Sequence, residues 1–323
     1  MAVRETPVLS AHRLPARPIP VITRRNICKL LAASAPVALS RAATGGMFPA
    51  LNSVLISGRV PWPDFARLAA KVGFPGTDVN LKAAMNEGAP TTVELLRSLN
   101  LRPAVLDFPV DFRTTDANFQ ASMAKLEPAA AFAAAIGCPR MMTWILPSSD
   151  TPKEQLLPVY RQRFTESAQV LARHNVRLAL EFLGPLHLRK AKPYEFIWRM
   201  NDMLAFAKEC GDNVGLLLDV WHWHHAGATT EDIVRAGRDR IVHVHFNDAP
   251  DLPPDQIRDD HRLLPGEGII NLVGFLQALK KIGYSDALSV EVFGRLKDET
   301  PERAAQMGLD ATRKVFAKAG IPV

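Results

Sequence analysis

The sequence contains little cysteine, with three residues in a chain of 323. Cys28 lies near the N-terminus, while Cys138 and Cys210 lie at the ends of predicted core elements, where a thiol usually acts as a small buried hydrophobic group. Nothing in their spacing predicts a disulfide, although an oxidising compartment leaves that pairing open. The shortage of cysteine excludes a soft, thiolate-based metal site.

The N-terminal segment has no apolar run long enough to serve as a permanent membrane anchor. Its uncharged stretch from Leu30 to Leu39 is about half as long as the roughly 20 residues that a spanning helix needs. The stretch follows the paired arginines Arg24 and Arg25, an arrangement typical of a cleaved twin-arginine export signal. We therefore predict an export signal over residues 1–43, no stable membrane insertion after its cleavage, and a periplasmic or secreted domain over residues 44–323. An ordinary basic, disordered N-terminus is the alternative.

Residues 44–323 lack an excess of either charge. The first 43 residues carry seven of the 39 lysines and arginines and one of the 33 acids, which leaves 32 of each sign in the rest. The pI of about 9.3 for the whole chain therefore reflects the N-terminal segment. Because a neutral domain offers no basic surface to phosphates, nucleic acid is excluded as a predicted partner.

What the chain does have, from residue 50 onward, is a regular alternation of short apolar runs and amphipathic helical stretches. Eight such pairs predict a parallel sheet, and the number eight favours a closed barrel over an open sheet. A composition of 47% hydrophobic and 22% charged residues is typical of a soluble globular protein. We predict an α/β fold, a single (β/α)8 TIM barrel, with strands at residues 51–56, 76–80, 104–108, 140–145, 177–182, 214–220, 241–246 and 287–293.

Four of the later predicted strands end in a side chain that can bind a metal ion. These residues are separated by 38, 26 and 46 positions, which suits one residue in each consecutive βα unit. The C-terminal ends of barrel strands ring one mouth, where active sites lie, so the four side chains are expected to converge. The alternative is that each acid caps a helix or forms a salt bridge. The residues are Glu181, Asp219, His245 and Glu291.

Three carboxylates that face one another without a cation raise each other's pKa or force a site open, and a divalent ion removes that conflict. Three oxygen donors and one imidazole suit Mn²⁺, Mg²⁺, Co²⁺ or Zn²⁺, and the number of oxygens favours the harder ions. We predict that these four residues hold one divalent ion, with Mn²⁺ as the first expectation.

Three further residues are candidates for contacting a substrate at the same mouth. His222 follows Asp219 by three positions and is predicted to hydrogen-bond a substrate hydroxyl, with a structural role as the alternative. Trp144 is predicted to form an apolar wall against a sugar face, unless it packs in the core. Arg262 lies in a long connection, residues 247–270, and is placed to reach a substrate oxygen with two N–H groups; an exposed loop arginine is the alternative.

With these motifs, the chain resembles the sugar phosphate isomerase/epimerase superfamily, the xylose isomerase-like TIM barrels. The resemblance covers about residues 48–320 and includes ketose 3-epimerases and hydroxypyruvate isomerase-like proteins. In those proteins, residues matching Glu181, Asp219, His245 and Glu291 hold the metal, those matching Glu181 and Glu291 also move protons, and the one matching His222 contacts substrate. The most specific parts are Leu180-Glu181-Phe182, Leu218-Asp219-Val220-Trp221-His222, His243-Val244-His245-Phe246-Asn247-Asp248 and Leu264-Pro265-Gly266-Glu267-Gly268.

The resemblance implies a metal-dependent sugar isomerase or epimerase. The metal would acidify a C–H beside a carbonyl, one glutamate would remove the proton to leave an enediolate, and the other would return a proton. The ketose epimerases carry an arginine six residues after the ligand histidine, where this chain has Asp251, so the substrate pocket must differ. Because an exported enzyme rarely meets sugar phosphates, an unphosphorylated sugar or keto-sugar is the expected small-molecule partner.

Other functions share parts of this pattern. A lyase acting on a keto-sugar, an inosose or a 3-keto-glycoside uses the same enediolate beside a leaving group, and a non-catalytic sugar-binding barrel is a second alternative. A DNA-repair endonuclease of related pattern needs three metals and histidines on early strands, yet no histidine lies between His12 and His174. Relatives are often dimers or tetramers, and the sequence leaves a homo-oligomer open because it assigns no interface.

Overall fold

Strands of four to six residues, each followed by helical structure, build the centre of residues 46–322, which are the residues that this computed structural model describes. Two further strands of two residues each, β5 and β7, pair antiparallel outside the ring. The strands are β1 (Phe48–Leu51), β2 (Gly76–Val79), β3 (Arg102–Asp107), β4 (Arg140–Ile145), β5 (Ser148–Ser149), β6 (Arg177–Phe182), β7 (Tyr194–Glu195), β8 (Val214–Asp219), β9 (Ile241–Phe246) and β10 (Ala287–Val290).

The eight longer strands close into a barrel in the order β1-β10-β9-β8-β6-β4-β3-β2, and every neighbouring pair is parallel. Each strand therefore directs its C-terminal end to the same rim. This arrangement confirms the predicted (β/α)8 TIM barrel.

Helices occupy the connections and begin at residues suited to capping. Thr229 forms a capping box with Asp232 at the start of α10, and Thr115 and Thr300 cap α4 and α12 by accepting backbone N–H bonds. The helices are α1 (Asp64–Val72), α2 (Leu81–Glu87), α3 (Ala89–Ser98), α4 (Asp116–Met123), α5 (Leu126–Ala135), α6 (Lys153–Ala172), α7 (Leu186–Arg189), α8 (Met200–Cys210), α9 (Val220–His225), α10 (Thr230–Ala236), α11 (Leu272–Lys281) and α12 (Pro301–Lys318).

The first strand lies earlier than the sequence predicts. Phe48–Leu51 pairs with both β10 and β2, whereas Ser53–Ile56 forms a short 3-10 helix. Asn52 starts that turn, because its side-chain oxygen accepts a hydrogen bond of 2.8 Å from the Val54 N–H. The prediction of a strand over residues 51–56 is wrong, since a short apolar run does not distinguish a strand from a helical turn.

Alternation along each strand separates the barrel interior from the layer beneath the helices. On β6, Leu178 and Leu180 belong to the large hydrophobic core, while Ala179 packs in a separate small cluster with Leu217 and Val242. Because side chains on a strand alternate between faces, Glu181 lies on the same inward face as Ala179. The small apolar residues deep in the barrel thus support a polar layer at its rim.

The predicted export signal, residues 1–43, lies outside the described residues. None of the helices within residues 46–322 combines the length and apolar character that crossing a membrane requires. Cys138 and Cys210 are both buried free thiols, and burial raises the pKa of each to about 12.

Candidate metal centre

The four side chains predicted to bind metal meet at one point of the rim. Glu181 lies on β6, Asp219 ends β8, His245 lies on β9, and Glu291 follows the last residue of β10 directly. These strands are consecutive neighbours in the ring, and one ligand atom from each residue lies within 4.8 Å of all the others. All four residues are buried. The structure therefore brings together the four residues that the sequence predicts as metal ligands.

The imidazole of His245 lies at the middle of the three carboxylates. Its Nδ1 is 3.0 Å from Glu291 Oε2, 3.4 Å from Glu181 Oε1 and 3.8 Å from Asp219 Oδ2. None of these contacts has the geometry of a hydrogen bond, so both ring nitrogens and Glu181 Oε1 lack a partner among residues 46–322. A buried polar atom without a partner costs about 1–3 kcal/mol. A divalent ion bound by Nδ1 and the facing carboxylate oxygens would remove that cost for Nδ1 and for Glu181 Oε1, so the residues fit a metal.

The electrostatics of the cluster favour a positive charge at its centre. Burial, together with the smaller effects of the Glu291 and Asp219 carboxylates, raises the pKa of Glu181 to about 7 against the opposing effect of His245. Although burial alone lowers the pKa of His245, the carboxylates of Glu291 and Glu181 hold it well above its usual value. The negative charge of these carboxylates, which favours a proton on His245, would equally favour a metal cation bound to the ring in place of that proton.

Asp219 is held so that only one of its oxygens faces the cluster. Its Oδ1 accepts hydrogen bonds from the Trp221 N–H at 2.7 Å and from Asn247 Nδ2 at 3.0 Å. The first bond also caps helix α9. Burial opposes ionisation, but the nearby Arg262 guanidinium and two histidines hold the pKa of Asp219 well below its usual range. Asp219 is therefore a fixed, ionised donor.

Arg262 reaches the same cluster from the long connection between β9 and α11. It is only 2% exposed, and its Nη1 donates to Asp219 Oδ2 at 2.6 Å and to Glu291 Oε2 at 2.8 Å. Its Nη2 donates to Asp259 Oδ1 at 3.1 Å and faces His222 Nε2 at 3.2 Å. The alternative of an exposed loop arginine is wrong, because these acids draw the guanidinium into the barrel mouth.

His222 lies on the first turn of α9, and its side chain is also buried. Burial lowers the pKa of His222 to about 4, so the ring is neutral at pH 7. Donors face both ring nitrogens, because the Arg262 guanidinium lies 3.2 Å from Nε2 and the Gly184 N–H points at Nδ1 from 3.4 Å. The predicted contact with a substrate hydroxyl stays a prediction.

Trp144 stands at the rim of β4, paired in register with Glu181. Its side chain is not part of the core, since the residue is 43% exposed. The guanidinium of Arg113 lies 4.0 Å from the centroid of one indole ring, where it makes a cation–π contact. An exposed indole near the metal cluster is compatible with the predicted apolar wall, which stays a prediction.

Two acids that the sequence analysis did not single out, the half-buried Asp78 and the exposed Asp107, lie on the opposite side of the mouth. Asp78 on β2 accepts hydrogen bonds from Ser289 Oγ at 2.5 Å and from Asn52 Nδ2 at 2.8 Å. Partial desolvation by the surrounding protein raises the pKa of Asp78 to about 7 and also raises the pKa of Asp107 on β3. Both are lone carboxylates near the C-terminal end of an apolar strand, which is the signal that could have found them.

Asp248 organises the connection that carries Arg262. Its fully buried carboxylate accepts four backbone hydrogen bonds that gather both ends of the segment. Oδ1 accepts from the N–H groups of Ala249 (2.8 Å) and Ile270 (3.0 Å), and Oδ2 accepts from those of Gly266 (3.0 Å) and Gly268 (2.9 Å). A methyl group on Gly268 would come within 2.1 Å of the Ala249 carbonyl, so glycine is required there.

Comparison with known proteins agrees with this architecture. The family model described as "Xylose isomerase-like TIM barrel" matches residues 66–315. The chain belongs to this family. Of the solved xylose isomerase-like barrels, a xylose isomerase domain protein from Alicyclobacillus acidocaldarius is 28% identical, with a TM-score of 0.79 over 85% of this chain and 99% of that one. The IolI protein, solved with a bound zinc atom, has a TM-score of 0.72 at 23% identity over 85% and 99% of the two chains, and shows the fold alone.

Several curated proteins with related sequences are enzymes. The inosose isomerase of Bacillus subtilis is 33% identical over 170 residues, which are 51% of this chain and 58% of the relative. The 3-dehydroshikimate dehydratase of Pseudomonas aeruginosa is 31% identical over 118 residues, which are 36% of this chain and 18% of the relative. The chain thus matches about half the length of the inosose isomerases. These named relatives are an isomerase and a dehydratase.

Proposed function

We propose that this protein is a divalent-metal-dependent isomerase or epimerase of an unphosphorylated keto-sugar or a similar polyhydroxylated ketone. The observation that carries the proposal is the buried four-residue cluster, in which two glutamates flank one imidazole at 3.0 and 3.4 Å. Membership of the xylose isomerase-like family and similarity to inosose isomerases support the assignment.

Each residue of the cluster has a separate task in this reaction. A bound divalent ion would supply a Lewis acid that acidifies the C–H beside a substrate carbonyl. Glu181 or Glu291 removes that proton, and the other glutamate returns a proton to the opposite face or to the adjacent carbon. Asp219 and His245 complete the ligand set, while the neutral His222 contacts a substrate hydroxyl.

Arg262 and Trp144 complete the proposed substrate site. Arg262 already donates to Asp219 and Glu291, so its positive charge stabilises both carboxylates in the form that coordinates an ion. A substrate oxygen near Glu291 would also lie near its guanidinium. Trp144 supplies the exposed indole against which a sugar face can pack.

We propose Mn²⁺ as the native ion, since three of the four donors are oxygens. Zn²⁺ is the main competitor, because the structurally similar IolI protein was solved with zinc. Elemental analysis of protein purified from its native host, without added metal, distinguishes them. Zinc at one equivalent with no manganese would overturn the choice of Mn²⁺ and leave the proposed reaction intact.

Proton exchange tests the reaction before the product is known. Metal-loaded protein is incubated with a panel of ketoses and inososes in heavy water, and deuterium at carbon is measured by NMR. Replacing a proton-transfer group typically costs about 10²–10⁴-fold in rate, so we expect that loss in Glu181→Gln and in Glu291→Gln. Glu87→Gln, which changes an exposed glutamate on α2, is the matched control and should keep the wild-type rate. If no compound in the panel exchanges with the wild type, the proposed isomerase or epimerase reaction is wrong.

A lyase is the second candidate, and dehydratases among the relatives favour it. The same proton removal beside a hydroxyl or glycosidic oxygen leads to elimination instead of reprotonation. Product analysis with inososes and 3-keto-glycosides separates the two. An epimer or isomer with solvent deuterium supports the first proposal, whereas an unsaturated product or a released aglycone supports the second.

A further inference from the structure

Arg262 makes its closest contacts with the metal cluster itself. Its Nη1 donates to Asp219 Oδ2 and to Glu291 Oε2, and the same two oxygens lie 3.8 and 3.0 Å from His245 Nδ1. An ion in the cluster would be coordinated through these oxygens, because Asp219 Oδ1 already accepts from two N–H groups. The guanidinium and the ion would therefore be close neighbours.

The guanidinium is fixed in this position by contacts on its other side. Its Nη2 donates to Asp259 Oδ1 at 3.1 Å, and its central carbon lies 4.5 Å from the ring centroid of Phe293 and 5.7 Å from that of Trp221. The side chain is almost completely buried, which leaves it little room to move. Because a guanidinium stays protonated in proteins, Arg262 places a permanent positive charge beside the metal ligands.

The charges of the cluster match one kind of ion. The three ionised carboxylates and the guanidinium together carry a charge of −2, since a histidine that coordinates a metal is neutral. A divalent ion neutralises that charge, whereas a trivalent ion would leave an unpaired positive charge in a buried site, which is unfavourable. Within residues 46–322, only His245 and Arg262 bring a positive charge into salt-bridge contact with these carboxylates.

The other charged residues of the mouth do not provide this balance. A cavity of about 270 Å³ opens beside the cluster at the rim formed by β1 to β4. Its charged lining residues are Asp78, Asp107 and Glu291, and no lysine, arginine or histidine occurs among the lining residues of the described chain. Because Coulomb energy is proportional to charge, these acids attract a trivalent ion more strongly than a divalent one. Selection for the lower charge therefore has to come from the side of Arg262.

We propose that Arg262 makes this metal centre selective for divalent over trivalent ions. As a fixed positive charge beside the bound ion, it weakens the binding of each cation in proportion to the charge of that cation. The inference rests on the metal-binding part of the proposed function. It goes further by assigning the choice of ion charge to one residue that is not itself a metal ligand.

Binding of Mn²⁺ and Tb³⁺ to the metal-stripped, full-length protein tests this inference. Free Mn²⁺ is measured by EPR, and bound Tb³⁺ by the luminescence that neighbouring tryptophans sensitise. In Arg262→Gln the Kd of Mn²⁺ should fall about 10-fold and that of Tb³⁺ about 30-fold, because the lost unit charge acts on the trivalent ion roughly one and a half times as strongly in free energy. A merely structural role predicts the opposite direction, since a damaged site binds both ions less tightly.

Arg258→Gln is the matched control. Arg258 is an exposed arginine of the same connection, and in the described chain its side chain donates to backbone carbonyls rather than to the cluster. Both affinities should keep their wild-type values in this variant. If Arg262→Gln does not fold, Asp259→Asn serves as the second variant. With one acid fewer to offset the guanidinium, the Kd of both ions should rise, and that of Tb³⁺ should rise by the larger factor.

Unchanged or weaker binding of both ions in a folded Arg262→Gln protein overturns the inference, and so do equal gains for the two ions. Equal losses for the two ions in Asp259→Asn also overturn it. If the affinities change as expected but no ketone exchanges deuterium, the inference stands and the proposed catalysis fails. If the wild type binds neither ion, both the inference and the proposed metal centre are wrong.

Discussion

Replacing Asp248 with asparagine should destabilise the connection that carries Arg262. The native carboxylate accepts four backbone hydrogen bonds, two on each oxygen, and is completely buried. An asparagine keeps one oxygen but places an NH₂ group where the other was, so two backbone N–H groups face a donor. At about 1–3 kcal/mol for each unsatisfied buried donor, the loss amounts to roughly 2–6 kcal/mol.

This loss appears either in the whole domain or in the connection alone, and two measurements cover both cases. Urea unfolding followed by tryptophan fluorescence reports the first, and limited proteolysis within residues 249–270 reports the second. Asp251→Asn is the control, because Asp251 is an exposed acid of the same connection. If Asp248→Asn keeps both the wild-type urea midpoint and the wild-type resistance to protease, the carboxylate does not hold the connection as described.

Three other predictions concern metal binding, pH and export. Free Mn²⁺ at 100 times its Kd should stabilise the wild type by about 2.7 kcal/mol, a rise in Tm of about 5–10 °C that EDTA reverses, and His245→Gln should show neither effect in a thermal scan. Because the pKa of Asp78 is raised to about 7 in the folded protein, the folded state binds the proton more tightly than the unfolded chain does. The free energy of unfolding should therefore fall as pH rises from about 4 to 7. Asp78→Asn should reduce this pH dependence in urea titrations of EDTA-treated protein. We also propose that the protein is exported, so changing both Arg24 and Arg25 to lysine should retain it in the cytoplasm of a bacterium with twin-arginine transport, whereas Arg17→Lys should not; equal periplasmic fractions would contradict the export signal.

The sequence predicts the metal cluster because the rule that places it is topological. An apolar strand that ends in a carboxylate or imidazole directs that group to the barrel mouth whatever the details of packing, so Glu181, Asp219, His245 and Glu291 are found from pattern alone. The same rule applies to Asp78 and Asp107, but each follows a short or irregular apolar run. Their importance emerges only when the cavity between them is visible.

Other features depend on contacts that no local pattern contains. The burial of Arg262 and the four bonds to Asp248 both require the connection of residues 247–270 to fold back on itself, and its closure depends on side chains up to 43 residues apart in sequence. The predicted position of the first strand is wrong because Asn52 ends that strand by accepting a hydrogen bond that starts a helical turn. In the sequence, Asn52 does not differ from an ordinary loop asparagine. Contacts between residues distant in sequence, and helix caps made by a single side chain, are thus the features that the sequence does not predict.

The order of strands around the ring has a consequence for how such a protein can change. The four-residue cluster occupies the adjacent strands β6, β8, β9 and β10, while the two remaining acids of the mouth lie on β2 and β3. Substitutions at Val105 and Asp107 on β3 leave the four strands of the cluster unchanged, whereas a substitution of Asp78 would remove the acceptor of Ser289 on β10. A library of variants at Val105 and Asp107, which line a cavity beside Glu291, would therefore change ligand preference while the four metal-binding residues stay the same. Duplicated genes can diverge by the same kind of change.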